Sequence, residues 1–499
     1  MRNPSRARKQ AVRSLTVAAL NVAALLLVAA TSGCNAPRVE RQAETARFNA
    51  ALEERCAGLA LDPKQPVTLA QCESIALRNN LAYRVTLLQT QLQDDKVRLA
   101  LAGILPQVSL EFDNSHRNNQ PLVRGPGGQS FKFDDMSENR FNLRAVVPIF
   151  DFGATYFAYH IAKDRETQEK LAAVRARQQL LRDVRVAYAQ HAAAVRQEKL
   201  AQVAVAAAQE VLKTTQSLQR EGLGSSADTA FVEAALAQAG LEVLLAQRRI
   251  EESRLRLNTL LSLAPWTAYQ VDTVLPPAAP LPAPERIAEL EQSALRARPE
   301  LWSQDLEQHL TANEVRRRIS AFFPHIDGLS EFDWSSVSTQ VNPAFGTLGF
   351  MVGQSLLDGT SGIWRYRLAK KQVNVEQERA LLVALGVLFD VDLRVLQLRR
   401  ADAAVLAMSK VAEAQETLLK EVTARYREGL ENGANAARAL AELRGAQREL
   451  DQARTDYLAA WYELNAASLS EEAVQADQAA RELDAKPVTG DEGEGARGE

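Results

Sequence analysis

Hydrophobic and polar positions along the chain follow two different periods. From Thr68, a candidate N-cap, the apolar positions Leu69, Ile75, Ala76 and Leu77 recur at helical spacing. That pattern runs on to Pro106, where a helix should stop. The texture then changes. Val108, Leu110 and Phe112 alternate with Ser109, Glu111 and Asp113, and Phe141, Leu143, Ala145 and Val147 alternate with Asn142 and Arg144. A period of two gives each segment one apolar and one polar face, which predicts strands over residues 107–115 and 140–150. The Asn-, Pro- and Gly-rich piece between them, residues 118–130, reads as a loop. After Gly153 the helical period resumes without a Pro or Gly to Glu221, which predicts a helix over 154–221. At about 1.5 Å per residue it would be roughly 100 Å long and needs partners along its length, as in a coiled coil or bundle. A break, "GLGSSAD", precedes a second helix over 228–263, with Asp228 as a candidate cap.

The programme then repeats. "QREGLGSSAD" at Gln219 is answered by "YREGLENGAN" at Tyr426, 207 positions on. Asn258 and Asn465 keep the same offset, and "PQVSLEFDNS" is answered by "PHIDGLSEFDWS" at an offset of 218. The two copies differ mainly by a shortening of 11 residues in the strand-loop-strand piece, where a loop tolerates it. Repeat 1 covers 68–274, a Pro-rich linker 275–284, and repeat 2 285–468. The second copy should carry strands at 325–335 and 347–356 and long helices at 360–428 and 435–468. The remaining residues, 469–499, form an acidic polar tail of disordered composition.

Composition adds the compartment. Arg2, Arg6, Arg8, Lys9 and Arg13 precede an apolar run from Leu15 to Ala30 and then "TSGC". This describes a signal peptide over 1–33. The segment also resembles a bacterial lipoprotein signal, which implies that Cys34 becomes the lipidated first residue of a segment covering 34–67. Thr31 departs from that pattern, and a conventional signal cut nearby is the alternative. Asn35 rather than Asp after the Cys points, by that resemblance, to the outer membrane. Cys56 and Cys72 remain as either a candidate disulfide in an oxidising compartment or two free thiols. No other stretch reads as a spanning helix of about 20 apolar residues. The formal net charge of −3 does not suggest a nucleic-acid partner. The five His are scattered without metal spacing and no phosphate loop appears, so neither an enzyme nor a cofactor is expected.

Two strands per repeat make four per chain, too few to close in lipid. Three chains would supply 12, an even number suited to an outer-membrane barrel. The Phe141/Leu143/Val147 and Leu348/Phe350/Val352 faces would meet lipid, and Asn142 and Arg144 the lumen. The alternative is a soluble β-layer on a helical protein.

The chain resembles the TolC-like outer-membrane efflux proteins over roughly residues 68–468. "VVPIFDFG" (146–153) and "GQSLLDG" (353–359) are similar to the family's strand-to-helix element, and "ALRNN" and "RARPEL" to its helix junctions. The resemblance implies a mainly α homotrimer with a 12-stranded β-barrel continued by a periplasmic α-helical coiled-coil tunnel. It implies a periplasmic adaptor protein and an inner-membrane transporter as partners, and makes the two "REGL" breaks the tunnel's tips. Gly222, Leu223, Gly224, Gly429 and Leu430 are then the adaptor-docking residues; otherwise the glycines merely end helices. Some members constrict the entrance with Asp residues six and nine positions after the second-repeat Gly. Here these are Asn435 and Arg438. Arg438 either makes a basic ring at the mouth or is solvated or paired with Glu442. The competing functional reading is a non-conducting, exported coiled-coil lipoprotein with a structural role in the envelope.

Overall fold

The computed structural model describes residues 41–57, 65–132, 134–222, 224–274, 280–354, 358–428 and 430–469. Cys34 and the acidic tail lie outside them. Helix α1 (Arg41–Ala57) belongs to a separate N-terminal unit; it is mostly exposed and carries an Arg47–Glu44 ion pair.

The main unit runs α2 (Leu69–Asn79), α3 (Leu81–Ala102), β1 (Gln107–His116), β2 (Leu122–Arg124), β3 (Ser130–Lys132), β4 (Ser137–Phe150), α4 (Ala154–Arg220) and α5 (Ser226–Leu261). The second copy runs α6 (Pro284–Ala297), α7 (Pro299–Ser320), β5 (His325–Ser335), β6 (Ala344–Gly353), α8 (Asp358–Arg427) and α9 (Gly433–Ser468). Strand β6 starts three residues earlier than expected, because Trp334 to Phe332 of β5 hold Ala344 to Gly346 in register. The segment expected to be a plain loop contains the β2–β3 hairpin.

The helical pattern from Thr68 is not continuous. It breaks at Asn80, whose side chain accepts the Tyr83 N–H at 2.8 Å and caps α3. Asn80 Nδ2 also donates to Leu260 O at 2.8 Å. Arg298, at the matching junction of the second repeat, donates from Nε to Ala467 O at 2.7 Å. Leu260 and Ala467 are themselves repeat-equivalent, so each junction grips the same carbonyl near the end of its returning helix. Those helices end alike. Ser262 and Leu469 both take left-handed φ, 50° and 46°, and send their N–H back to Asn258 O and Asn465 O. The Asn258 side chain adds its own bonds just past the helix end, Nδ2 donating to Ala264 O and Thr267 O, both at 3.3 Å.

Four strands form one antiparallel sheet in the order β1-β4-β5-β6. Its register sorts chemistry by face. Leu110, Leu143 and Phe332 stand side by side, and so do Phe112, Phe141 and Trp334. Leu348 and Phe350 of β6 continue that apolar face, 87% and 76% exposed. The other face carries Ser109, Arg144 and Glu331 in one row and Glu111, Asn142 and Asp333 in the next, with Asn142 Nδ2 donating to Glu331 and Asp333. The outer ladders of β1 and β6 are open. A sheet that is apolar on one side, exposed there, and open at both edges cannot stand alone in lipid.

Asp151 turns the chain from sheet to helix. It accepts the Gly153 N–H at 3.0 Å and the Thr155 N–H at 2.7 Å, satisfying donors at the start of α4. The helices α3, α4, α7 and α8 leave the sheet side by side, while α4 with α5 and α8 with α9 form the long pairs. Leu290, Val387, Val391, Val395, Leu398 and Leu464 build one core where α6, α8 and α9 meet. Helix α5 has a window of mean hydropathy 1.4, long and apolar enough by composition to span a membrane. Its pairing with α4 and its Arg248, Glu251 and Arg254 make it part of the helical body.

Candidate functional site

The two tips are built by the shared "REGL" turn and then diverge. At the first, α4 ends at Arg220, and Gly222 takes φ +77°, which a residue with a Cβ rarely adopts. The Gly222 N–H donates to Gln219 O and the Gly224 N–H to Leu218 O, both at 3.1 Å, so helix-end carbonyls are satisfied within the turn. At the second, the Glu428 N–H reaches Ala424 O at 3.2 Å and the Leu430 N–H reaches Arg425 O at 2.9 Å. Leu430 stands 72% exposed at this turn. Leu223 and Gly429 lie outside the described residues.

Asp228 is not the cap of α5. Ser225 caps it, its Oγ accepting the Ala227 N–H at 3.1 Å, and Asp228 sits in the first turn. Asn432, the repeat equivalent of Ser225, caps α9 by accepting the Asn435 N–H at 2.8 Å. Asn435 then donates from its side chain to Glu431 Oε1 at 2.6 Å. That bond, with the Asn432 N–H, holds the Glu431 carboxyl below its usual range. Arg438 is not paired with Glu442. Its guanidinium lies 5.5 Å from the centroid of the Phe231 ring on α5, a cation–π contact across the helix ends. Phe231 and Arg438 occupy equivalent positions of the two repeats.

Three residues that the sequence reading passed over join the tips. Thr215 and Tyr426 are buried, and their hydroxyl oxygens lie 3.0 Å apart, linking α4 to α8. Gly433, the first residue of α9, abuts Thr215 so closely that a Cβ there would fall 2.3 Å from Thr215 Oγ1. Tyr426 is the one residue that differs where "YREGL" answers "QREGL". Its counterpart Gln219 bonds within its own tip, accepting from Thr229 Oγ1 at 2.6 Å. That mismatch was the available signal.

Behind the tips, α4, α5 and α9 enclose a narrow groove of about 180 Å³ floored by small residues such as Ala204, Ala208, Ala239 and Ala437. An ion pair between Arg448 and Glu242 ties α9 to α5 at its wall. Cys72 is fully buried on α2 as a free thiol, and the side chain of Cys56 lies outside the described residues. Burial pushes the thiol up to about 12.

A family profile described as outer membrane efflux protein matches residues 74–262 and 290–468, both repeats and most of the chain. The chain belongs to the outer membrane efflux protein family. This efflux protein also resembles solved channels in fold. CusC, described with its transmembrane channel formation, superposes with a TM-score of 0.69 at 16% identity, covering 80% of this chain and 91% of that one. The outer membrane protein VceC of Vibrio cholerae gives 0.67 at 15%, over 80% and 95%. The CmeC outer membrane channel of Campylobacter jejuni gives 0.69 at 14%, over 80% and 85%. No curated protein sequence matches the chain significantly. The family boundaries coincide with the helix-strand-helix repeats, and the chain's role is that of an outer-membrane efflux protein.

Proposed function

We propose that the efflux protein works as a homotrimer, a passive duct that continues from a 12-stranded barrel into a periplasmic tunnel. A periplasmic adaptor and an inner-membrane transporter supply the specificity and energy. The observation that carries this reading is the sheet: one exposed apolar face, one polar face, two open edges, and direct continuation into helices of 67 and 70 residues. Three copies pair every edge and turn every apolar face to lipid. A helix of that length reaches about 100 Å into the aqueous compartment. The N-terminal segment adds a lipid anchor at Cys34.

The tips are the docking ends. Leu430 offers an apolar side chain on an otherwise polar turn, and the alanine-floored groove lets another helix approach closely. Asn435, Arg438 and the Thr215–Tyr426 link set the width of the closed mouth.

Purified protein, cross-linked in detergent and reconstituted in planar bilayers, tests the duct. Trimers with stepwise conductance are expected; monomers, or trimers that never conduct even with Tyr426→Phe, would leave the structural lipoprotein reading instead. Leu430→Asp should abolish co-purification of the adaptor while the trimer persists. Intact-mass measurement of the mature chain checks for a lipidated Cys34.

A further inference from the structure

Just below the sheet, a second cavity of about 640 Å³ is walled by α3, α4, α7 and α8 together. These helices pack in that order as a single layer. Four helices side by side can share one cavity only on the side toward which the layer curves. In a closed ring that side is the lumen.

Its wall is unevenly charged. Lys96, Arg165, Arg317, Arg318 and Arg365 contribute five cations from four helices. Glu314 and Glu307 are the opposing carboxylates. Glu314 is already engaged by Arg317 and Arg318, each at 2.8 Å, and Glu307 accepts Gln168 Nε2 at 2.8 Å. Among the described residues Lys96, Arg165 and Arg365 have no carboxylate within ion-pair distance. Their charges are therefore uncompensated within the protomer, while the chain as a whole is slightly acidic. Ile161, Leu310 and Ala369 give the same cavity an apolar floor.

We infer that this cavity is a binding site on the duct wall for amphiphilic organic anions, a carboxylate or sulfonate on an apolar body. The body covers Ile161 and Leu310, and the anionic groups meet Lys96, Arg165 and Arg365. Lys96, Arg165 and Arg365 are exposed to solvent on one wall, and cations gathered in this way raise the local concentration of anionic solutes and speed their entry. Occupancy by three protomers would bias the lumen toward anionic cargo at the point where tunnel meets barrel.

The location in the duct rests on the channel reading above; binding to the cavity does not. The probe is pyranine, an aromatic trisulfonate, followed by fluorescence anisotropy with the detergent-solubilised full-length trimer. Binding is expected to weaken as salt rises, to be displaced by benzene-1,3,5-tricarboxylate, and to be indifferent to methyl viologen. The combined variant Lys96→Gln, Arg165→Gln and Arg365→Gln, accepted only if it still runs as a heat-resistant trimer, should bind at least about tenfold more weakly. Arg165→Lys with Arg365→Lys should keep wild-type affinity within about threefold and serves as the comparison if the Gln variant does not assemble. Unaltered pyranine affinity in the Gln variant, or equal displacement by methyl viologen, would overturn the site. In bilayers the wild-type reversal potential should favour anions and the Gln variant should shift it toward cations. A loss of pyranine binding with no such shift would overturn its place in the lumen, whereas binding by a protein that never conducts would overturn the duct and keep the site.

Discussion

Gly433→Ala is the sharpest test of the tip. The added Cβ would sit 2.3 Å from Thr215 Oγ1, 3.1 Å from its Cγ2 and 3.3 Å from its Cβ. Thr215 cannot move aside cheaply. It is 2% exposed, and its hydroxyl is held by Val211 O at 2.8 Å and by Tyr426 at 3.0 Å. Overpacking of this kind costs about 1–3 kcal/mol. In a helix that ignored Thr215, the same change would instead stabilise by up to about 1 kcal/mol, because alanine loses less backbone entropy than glycine. The two readings thus differ in sign. Hydrogen–deuterium exchange of peptides covering 211–219 and 430–440 reads the local opening equilibrium. A cost of about 1–3 kcal/mol should speed exchange roughly 5- to 150-fold, and single-channel conductance should rise as the α9 end lifts off α4. Thr215→Ala removes the two nearest atoms, so the double variant should recover most of the protection. Slower exchange in Gly433→Ala, or no recovery with Thr215→Ala, would refute the contact as the element that holds the mouth shut.

Leu348→Arg on the apolar sheet face should block insertion or trimer formation, at about 2–4 kcal/mol per copy near the bilayer midplane; Thr347→Arg on the opposite face, across from Glu331, should be tolerated, as heat-modifiable gel mobility will show. His191 is buried against Ser253 Oγ at 2.8 Å, and burial first, then Arg254, lowers its pKa to about 4. The unfolded chain, with an ordinary value near 6.5, binds the extra proton between those values. Stability should therefore be full above about pH 6.5 and fall as the pH drops toward 4, and His191→Gln should flatten that fall in thermal unfolding. Cys72, held protonated by burial, should resist maleimide at pH 8 in a Cys56→Ser background and react once the protein is denatured.

Much of the architecture was legible in the chain because each level agreed with the next. The period-two alternation of 108–112 and 141–147 determined which faces are apolar, since a pleated strand leaves no other choice. The run without Pro or Gly after Gly153 determined a helix too long to be globular. The offset of 207 determined that two copies share one plan, down to the asparagines at which both returning helices end. What the chain by itself could not decide were the meetings between copies. A residue's own period says which face it occupies but not which partner that face will meet. So, whereas the Ser225 cap that displaced Asp228 is a local bond within one turn, Arg438 looked free or paired with Glu442 until packing placed it over Phe231. The Thr215–Tyr426–Gly433 contact and the cationic cavity belong to the same class. Each joins residues from different helices, 211 positions apart in the case of Thr215 and Tyr426. Only the lateral packing of the helices, set by ridges of side chains far from the tips, brings them within reach.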